Sequence, residues 1–178
     1  MRDKDRVFVA IYARPGTSST SLASTQSHPR MKPQDFHWGL WVEPKRGAGA
    51  GTSFELEDSD TYSSVANPFG WRIHIDEHKA PPPHMLGRIM IGKMIEGRSV
   101  YHVAGILHEV PLPSDPDSDI GDAISWLKAA IQELQAMGSA ERFSVDAFMS
   151  EAMRYAVTWN ARGKEAEKVN YTWSRTFP

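Results

Sequence analysis

The sequence predicts a single α+β domain: an antiparallel sheet of about five strands, followed by two long C-terminal helices. Three observations carry that expectation. Short β-branched and aromatic runs, bounded by glycine and proline, fill the first half of the chain. Apolar residues spaced by three and four fill two later stretches, each closed by a glycine. The length of 178 residues suits one hydrophobic core.

The elements follow in order. Val7 to Tyr12 is the first strand. Residues 15–34 hold Pro15, Gly16 and a cluster of Ser and Thr, closing with Pro29 and Pro33, which predicts a long mobile loop bordering any cleft as a cover. Phe36 to Val42 is the second strand, stopped by Pro44. The stretch 47–51, Gly-Ala-Gly-Ala-Gly, reads as a flexible hairpin connection. Thr52 to Leu56 and Trp71 to Ile75 are two further strands; Trp71, Ile73 and Ile75 alternate with Arg72 and His74. Pro81-Pro82-Pro83 is an extended connector, and Met85 to Ile95 a strand. A short helix fits 100–110. The acidic loop 114–119 offers Ser118 or Asp119 as the cap of a helix over 119–138. Ser144 caps a second helix over 144–161, closed by Gly163. The tail, 164–178, could add a final edge strand.

Composition narrows the function classes. A net charge of −2, with no lysine-arginine stripe, gives no footprint for nucleic acid. No apolar run approaches the ~20 residues of a membrane span. The first apolar run is short and follows Asp3 and Asp5, so it does not read as a signal peptide, and a soluble, cytoplasmic protein is expected. With no cysteine in the chain, disulfides, Cys-bearing zinc sites and thiol nucleophiles are excluded for the sequence as it stands. There is no phosphate-binding glycine loop, dinucleotide fingerprint or His-Glu-x-x-His run, so no cofactor and no metal is expected.

The histidines are the promising titratable groups. His28 and His84 lie beside prolines and read as solvated. His74 and His78 stand four apart, a spacing that makes poor shared metal ligands across a strand end. His37 differs, because it interrupts an aromatic strand and shares a face with Gly39 and Trp41. A histidine beside a glycine has room for a substrate to approach; the plainer reading is a core histidine bonded to the backbone. Glu55 or Glu57 on the following strand, or His74, could orient the ring. Trp38, Trp41 and Trp71, with Tyr62 and Phe69, suggest an apolar or aromatic small-molecule ligand, although rings at such positions also build cores.

The run Phe36-His37-Trp38-Gly39-Leu40-Trp41-Val42, with a helix carrying Trp126-Leu127, resembles a group of small fungal proteins. These in turn resemble the permuted papain-like fold of the lecithin:retinol acyltransferase class. The resemblance spans about residues 36–138 and implies a histidine on the strand and a nucleophilic cysteine near a helix start. The cysteine position falls on Ala123, after Asp122, which would stand beside the substrate with Trp126. Alanine can supply no thiolate, and Ser125 points elsewhere on the helix. Either Ala123 replaces a natural thiol in an inactivated variant, or this is a branch without one.

Three readings follow. One is a papain-like hydrolase or acyltransferase with His37 as general base and a thiol at 123. Another is a non-thiol member that binds, cyclises or isomerises a small molecule in the same cleft, within specialised metabolism. The third is a binding module without chemistry. The resemblance further implies that the side chains of His37 and residue 123 are neighbours.

Overall fold

The computed structural model describes residues 4–14, 31–113 and 121–172. Its strands are β1 (Arg6–Ala13), β2 (Phe36–Glu43), β3 (Gly51–Glu57), β4 (Arg72–His78), β5 (Met85–Lys93) and β6 (Glu167–Asn170). Its helices are α1 (Val100–His108), α2 (Gly121–Ala136) and α3 (Val145–Arg162). The strands form one six-stranded sheet in the order β4-β3-β2-β1-β5-β6. The α+β class and the strands-first order are as the sequence predicts. The short helix expected over 100–110 is α1, of nine residues; the sheet differs in having six strands and in pairing β6 parallel to β5, so it is mixed. The tail does supply an edge strand, over Glu167–Asn170. The loop core at 15–30, the helix cap at Ser118 or Asp119 and the tail beyond Thr172 lie outside the described residues.

Local chemistry explains the helix ends. Ser144 accepts a hydrogen bond from the Ala147 amide, and Gly163 stops α3 with a left-handed backbone at φ +56°. The connection at 44–51 is closed by hydrogen bonds from the Gly47 amide to the Pro44 carbonyl and from the Ala50 amide to the Gly47 carbonyl. It is a pair of tight turns, with Gly49 at φ +93° supplying a conformation that side chains rarely adopt.

The sheet is covered on both faces. Val7, Val9 and Ile11 of β1, Phe36, Trp38, Leu40 and Val42 of β2, and Phe54 and Leu56 of β3 point into the main core. There they meet Leu127, Ile131 and Leu134 of α2 and Phe148, Ala152 and Trp159 of α3. Gly87 lets the Trp159 ring rest on β5, since a side chain at that position would overlap it.

The alternate residues build a second core on the opposite face: Phe8, Ala10, Tyr12, Trp41, Met85 and Met90. Its lid comes from the connection between β4 and β5, which passes three intervening strands. His78 stacks on Trp41 with ring centres 5.2 Å apart, Pro81 packs at Gly49, and the His84 ring lies 5.3 Å from that of Tyr12. The proline run fits this role: it is extended and lacks amide donors that would otherwise need partners.

At one end of this second face, Glu43 is buried, with 2% of its surface exposed. Arg88 donates to its Oε2 from both Nε and Nη2 at 2.7 Å, and Lys168 Nζ donates to Oε1 at 2.7 Å. One carboxylate thereby joins β2, β5 and β6. Among the described residues no helix is long and apolar enough to cross a membrane.

Removing the carboxylate while its partners remain leaves a buried guanidinium without its counter-charge. Glu43→Ala is therefore expected to cost about 3–5 kcal/mol, whereas Lys168→Ala, which leaves the Arg88 pair intact, costs about 1 kcal/mol. Urea unfolding followed by tryptophan fluorescence measures both; equal losses would show that the buried guanidinium does not depend on Glu43.

Candidate active site

A 3₁₀ turn at Pro33–Asp35 leads into β2. Trp38 is fixed to that turn, its Nε1 donating to the Pro33 carbonyl at 2.8 Å, and its ring faces the helix-side core. Strand alternation then sends His37, Gly39, Trp41 and Glu43 to the other face. In register, Tyr12 of β1 lies opposite His37, and Glu55 of β3 lies opposite Gly39. Three side chains from three adjacent strands meet here.

His37 Nε2 and Glu55 Oε2 are 2.7 Å apart. The space over Gly39 is what allows it. A Cβ at position 39 would stand 2.9 Å from Glu55 Cγ and 3.6 Å from the Tyr12 ring. The sequence suggests that the glycine makes room for a substrate; in the structure that room holds the Glu55 side chain, which reaches across to the imidazole.

Burial raises the Glu55 carboxyl, but the hydrogen bond and charge of His37, with smaller contributions from Ser53 and Tyr12, outweigh it, and the group is held below its ordinary range. An ionised carboxylate only accepts hydrogen bonds, so Nε2 is the donor, and in the neutral ring Nδ1 is the nitrogen without a proton. Nδ1 has no partner among the described residues and is not sealed from solvent; 28% of the His37 side chain is exposed. Tyr12 closes the other side. Its ring centre lies 5.6 Å from that of His37, and its hydroxyl is buried without a well-formed hydrogen bond. Burial, and then the neighbouring Glu55 charge, push the phenol far upward, so it stays neutral. With His84 on its other flank, the Tyr12 ring stands between two imidazoles.

The other candidates from the sequence are distributed elsewhere. Glu57 pairs with Arg72 at 3.2 Å and lies 3.7 Å from His74 Nδ1, so neither Glu57 nor His74 orients His37. Trp41 is on the same face but wholly buried under His78, and Trp38 and Trp126 are buried in the helix-side core. Trp71 is half-buried against that same core. These rings are core rather than the wall of a ligand site. The side chain of Asp122 lies outside the described residues. Ala123 packs against the helix-side core, beneath the sheet face opposite to His37. The structure therefore does not bring His37 and position 123 together; the alternation that buries Trp38 toward α2 turns His37 away from it. Tyr12 and His84 were missed by sequence reasoning. Tyr12 was within reach, since pairing the first two strands places it beside His37.

Among the described residues no group of three or more His, Asp or Glu is placed to hold a metal ion. Residues 4–176, all of this arrangement included, match a family of unknown function, DUF6914. The chain belongs to the DUF6914 family. No curated protein and no solved structure matches it.

Two outcomes follow. Because the folded Glu55 carboxyl lies below its unfolded value, its contribution to stability is present above the unfolded pKa and is lost as pH falls through the folded one. Glu55→Gln, and likewise His37→Ala, should flatten the acid limb of stability against pH, as read by unfolding between pH 7 and roughly 3; an unchanged limb would show that the pair is not formed. A thiol introduced as Ala123→Cys should alkylate with the same pH profile whether or not His37 is present, since the sheet separates them. A profile that depends on His37 would place them on one face.

Proposed function

We propose that this DUF6914 chain binds a small molecule at the corner of the sheet where His37 stands, and that His37 works there as a thiol-independent acid–base group. The observation that carries the reading is the 2.7 Å contact between His37 Nε2 and an ionised Glu55, with Nδ1 left open. A carboxylate behind an imidazole fixes the tautomer and stabilises the imidazolium that forms when the ring takes a proton. Nδ1 can then withdraw a proton from an acidic C–H or O–H of a bound molecule and return it elsewhere, the elementary step of an isomerisation or a cyclisation. Every atom that step needs is present: the proton moves to Nδ1 and back, and no bond to the protein forms. Tyr12 is a positioning residue, since its ring backs the imidazole and its hydroxyl is buried.

The acyltransferase-like reading requires a nucleophile in reach of His37, and position 123 packs beneath the other face of the sheet. What remains of the resemblance is the strand motif. The binding-module reading uses the same corner without proton transfer, and the experiment below separates it.

Small molecules from a cell extract, screened by NMR against the labelled protein, should yield a compound that shifts the amides of His37, Gly39 and His84 together. With that compound as substrate, His37→Asn should stay within about 1 kcal/mol of the parent in stability and lose roughly 10²–10⁴-fold in turnover. Turnover per folded molecule unaffected by the change would overturn the catalytic reading. Saturable binding with no turnover in the parent would leave a binding module.

A further inference from the structure

The polar contacts around His37 do not end at Glu55. Ser53 stands two residues earlier on β3, so its side chain rises from the same face of the sheet. It is fully buried, and its Oγ lies 2.9 Å from Nε2 of His78 on β4. The His78 ring is stacked on Trp41, which holds it over the sheet. In register, Ser53 lies opposite Trp41 of β2 on one side and Asp76 of β4 on the other. His37, Glu55, Ser53 and His78 thus form one series across β2, β3 and β4.

The direction of the hydrogen bonds follows from the chemistry of each group. A hydroxyl has one proton to give. Asp76 Oδ2 lies 3.8 Å from the same His78 Nε2, and a carboxylate favours a proton on the nitrogen that faces it. With Nε2 protonated, His78 donates to Ser53 Oγ, and the serine proton is left for Glu55. The opposite arrangement would turn a serine lone pair toward the carboxylate. Ser53 is indeed among the groups that draw the Glu55 carboxyl down.

We infer that Ser53 and His78 are positioning residues of the His37 site: His78 orients the Ser53 hydroxyl, and Ser53 holds the carboxylate that backs the imidazole. The inference rests on the acid–base reading of His37, but the series can be tested on the carboxylate itself, without a substrate. Glu55 is held by His37 of β2 and by Ser53 of its own strand, with Tyr12 of β1 beside it. One carboxylate thereby serves two imidazoles, one directly and one through a hydroxyl. Ser53 has no exposed surface from which to attack a substrate, so its part is to orient.

The test is NMR of the full-length protein labelled with ¹³C and ¹⁵N. In the parent, the neutral His78 ring should carry its proton on Nε2. The Glu55 carboxyl should titrate about one unit higher in Ser53→Ala, the worth of one hydrogen bond to the ionised form. Ser53→Thr, which keeps the hydroxyl, should bring it back toward the parent value. His78→Phe keeps a ring on Trp41 and removes the donor, so it should move Glu55 the same way by less. A His78 ring bare at Nε2 in the parent, a result that needs no variant, would overturn the proposal. So would an unmoved Glu55 titration in folded Ser53→Ala. Neither readout involves turnover, so failure of the series and failure of the acid–base reading of His37 are told apart.

Discussion

The fold depends on one constraint: β1 is buried along both faces. Seven consecutive residues, Arg6 to Tyr12, are buried, so neither face of the sheet can be left to water at its centre. Helices α2 and α3 meet the requirement on one face with aliphatic and aromatic side chains. The other face has no helix among the described residues, and the β4-to-β5 connection serves instead, laying His78 over Trp41 and His84 against Tyr12. Burying a tyrosine and a tryptophan there is worth several kcal/mol of transfer free energy, enough to hold a proline-bearing connector across the strands.

The location of the polar chemistry follows from that cover. A connector only six residues long, 79–84, shields the middle of the face and leaves both ends polar. At one end Glu55 reaches an imidazole on the neighbouring strand, and at the other Glu43 reaches past β1 to cations on β5 and β6, because an unpaired carboxylate could not be buried there. Glu43, almost wholly buried, needs two cations; Glu55, less enclosed, is satisfied by one histidine. A carboxylate held by guanidinium and ammonium groups is fixed in charge, whereas a carboxylate against imidazole belongs to a pair that can exchange a proton.

Much of this was legible in the sequence, and the parts that were not have identifiable causes. The β-branched and aromatic runs Val7–Tyr12 and Phe36–Val42 mark both strands, since a strand buried on both faces reads as a near-continuous apolar run. The i+3 and i+4 spacings, with Gly138 and Gly163, mark α2 and α3. Glu55 was a candidate partner for His37 because it lies on the next strand, but choosing it over Glu57 needs the register, Gly39 opposite Glu55. A one-residue slip would have reversed every face. The parallel pairing of β6 was beyond reach because its four residues carry too little pattern, and the Glu43–Lys168 contact spans 125 positions. The relation of His37 to position 123 failed for a topological reason. Which sheet face a distant helix covers is set by chain crossings, and no local motif encodes them.

The strand motif itself shows how a resemblance can outrun its chemistry. In Phe36-His37-Trp38-Gly39-Leu40-Trp41-Val42, packing accounts for six of the seven residues. Phe36, Trp38, Leu40 and Val42 fill the helix-side core, Trp41 fills the second core beneath His78, and Gly39 clears the path of Glu55. Any central strand buried on both faces and flanked by a charged partner would favour such a composition, whatever reaction it serves. His37 is the exception. It is half-buried, and it holds one nitrogen toward Glu55 while the other stays open. In the proposed function the chemistry of the motif rests on that solvent-facing nitrogen, and on the carboxylate that decides which nitrogen it is.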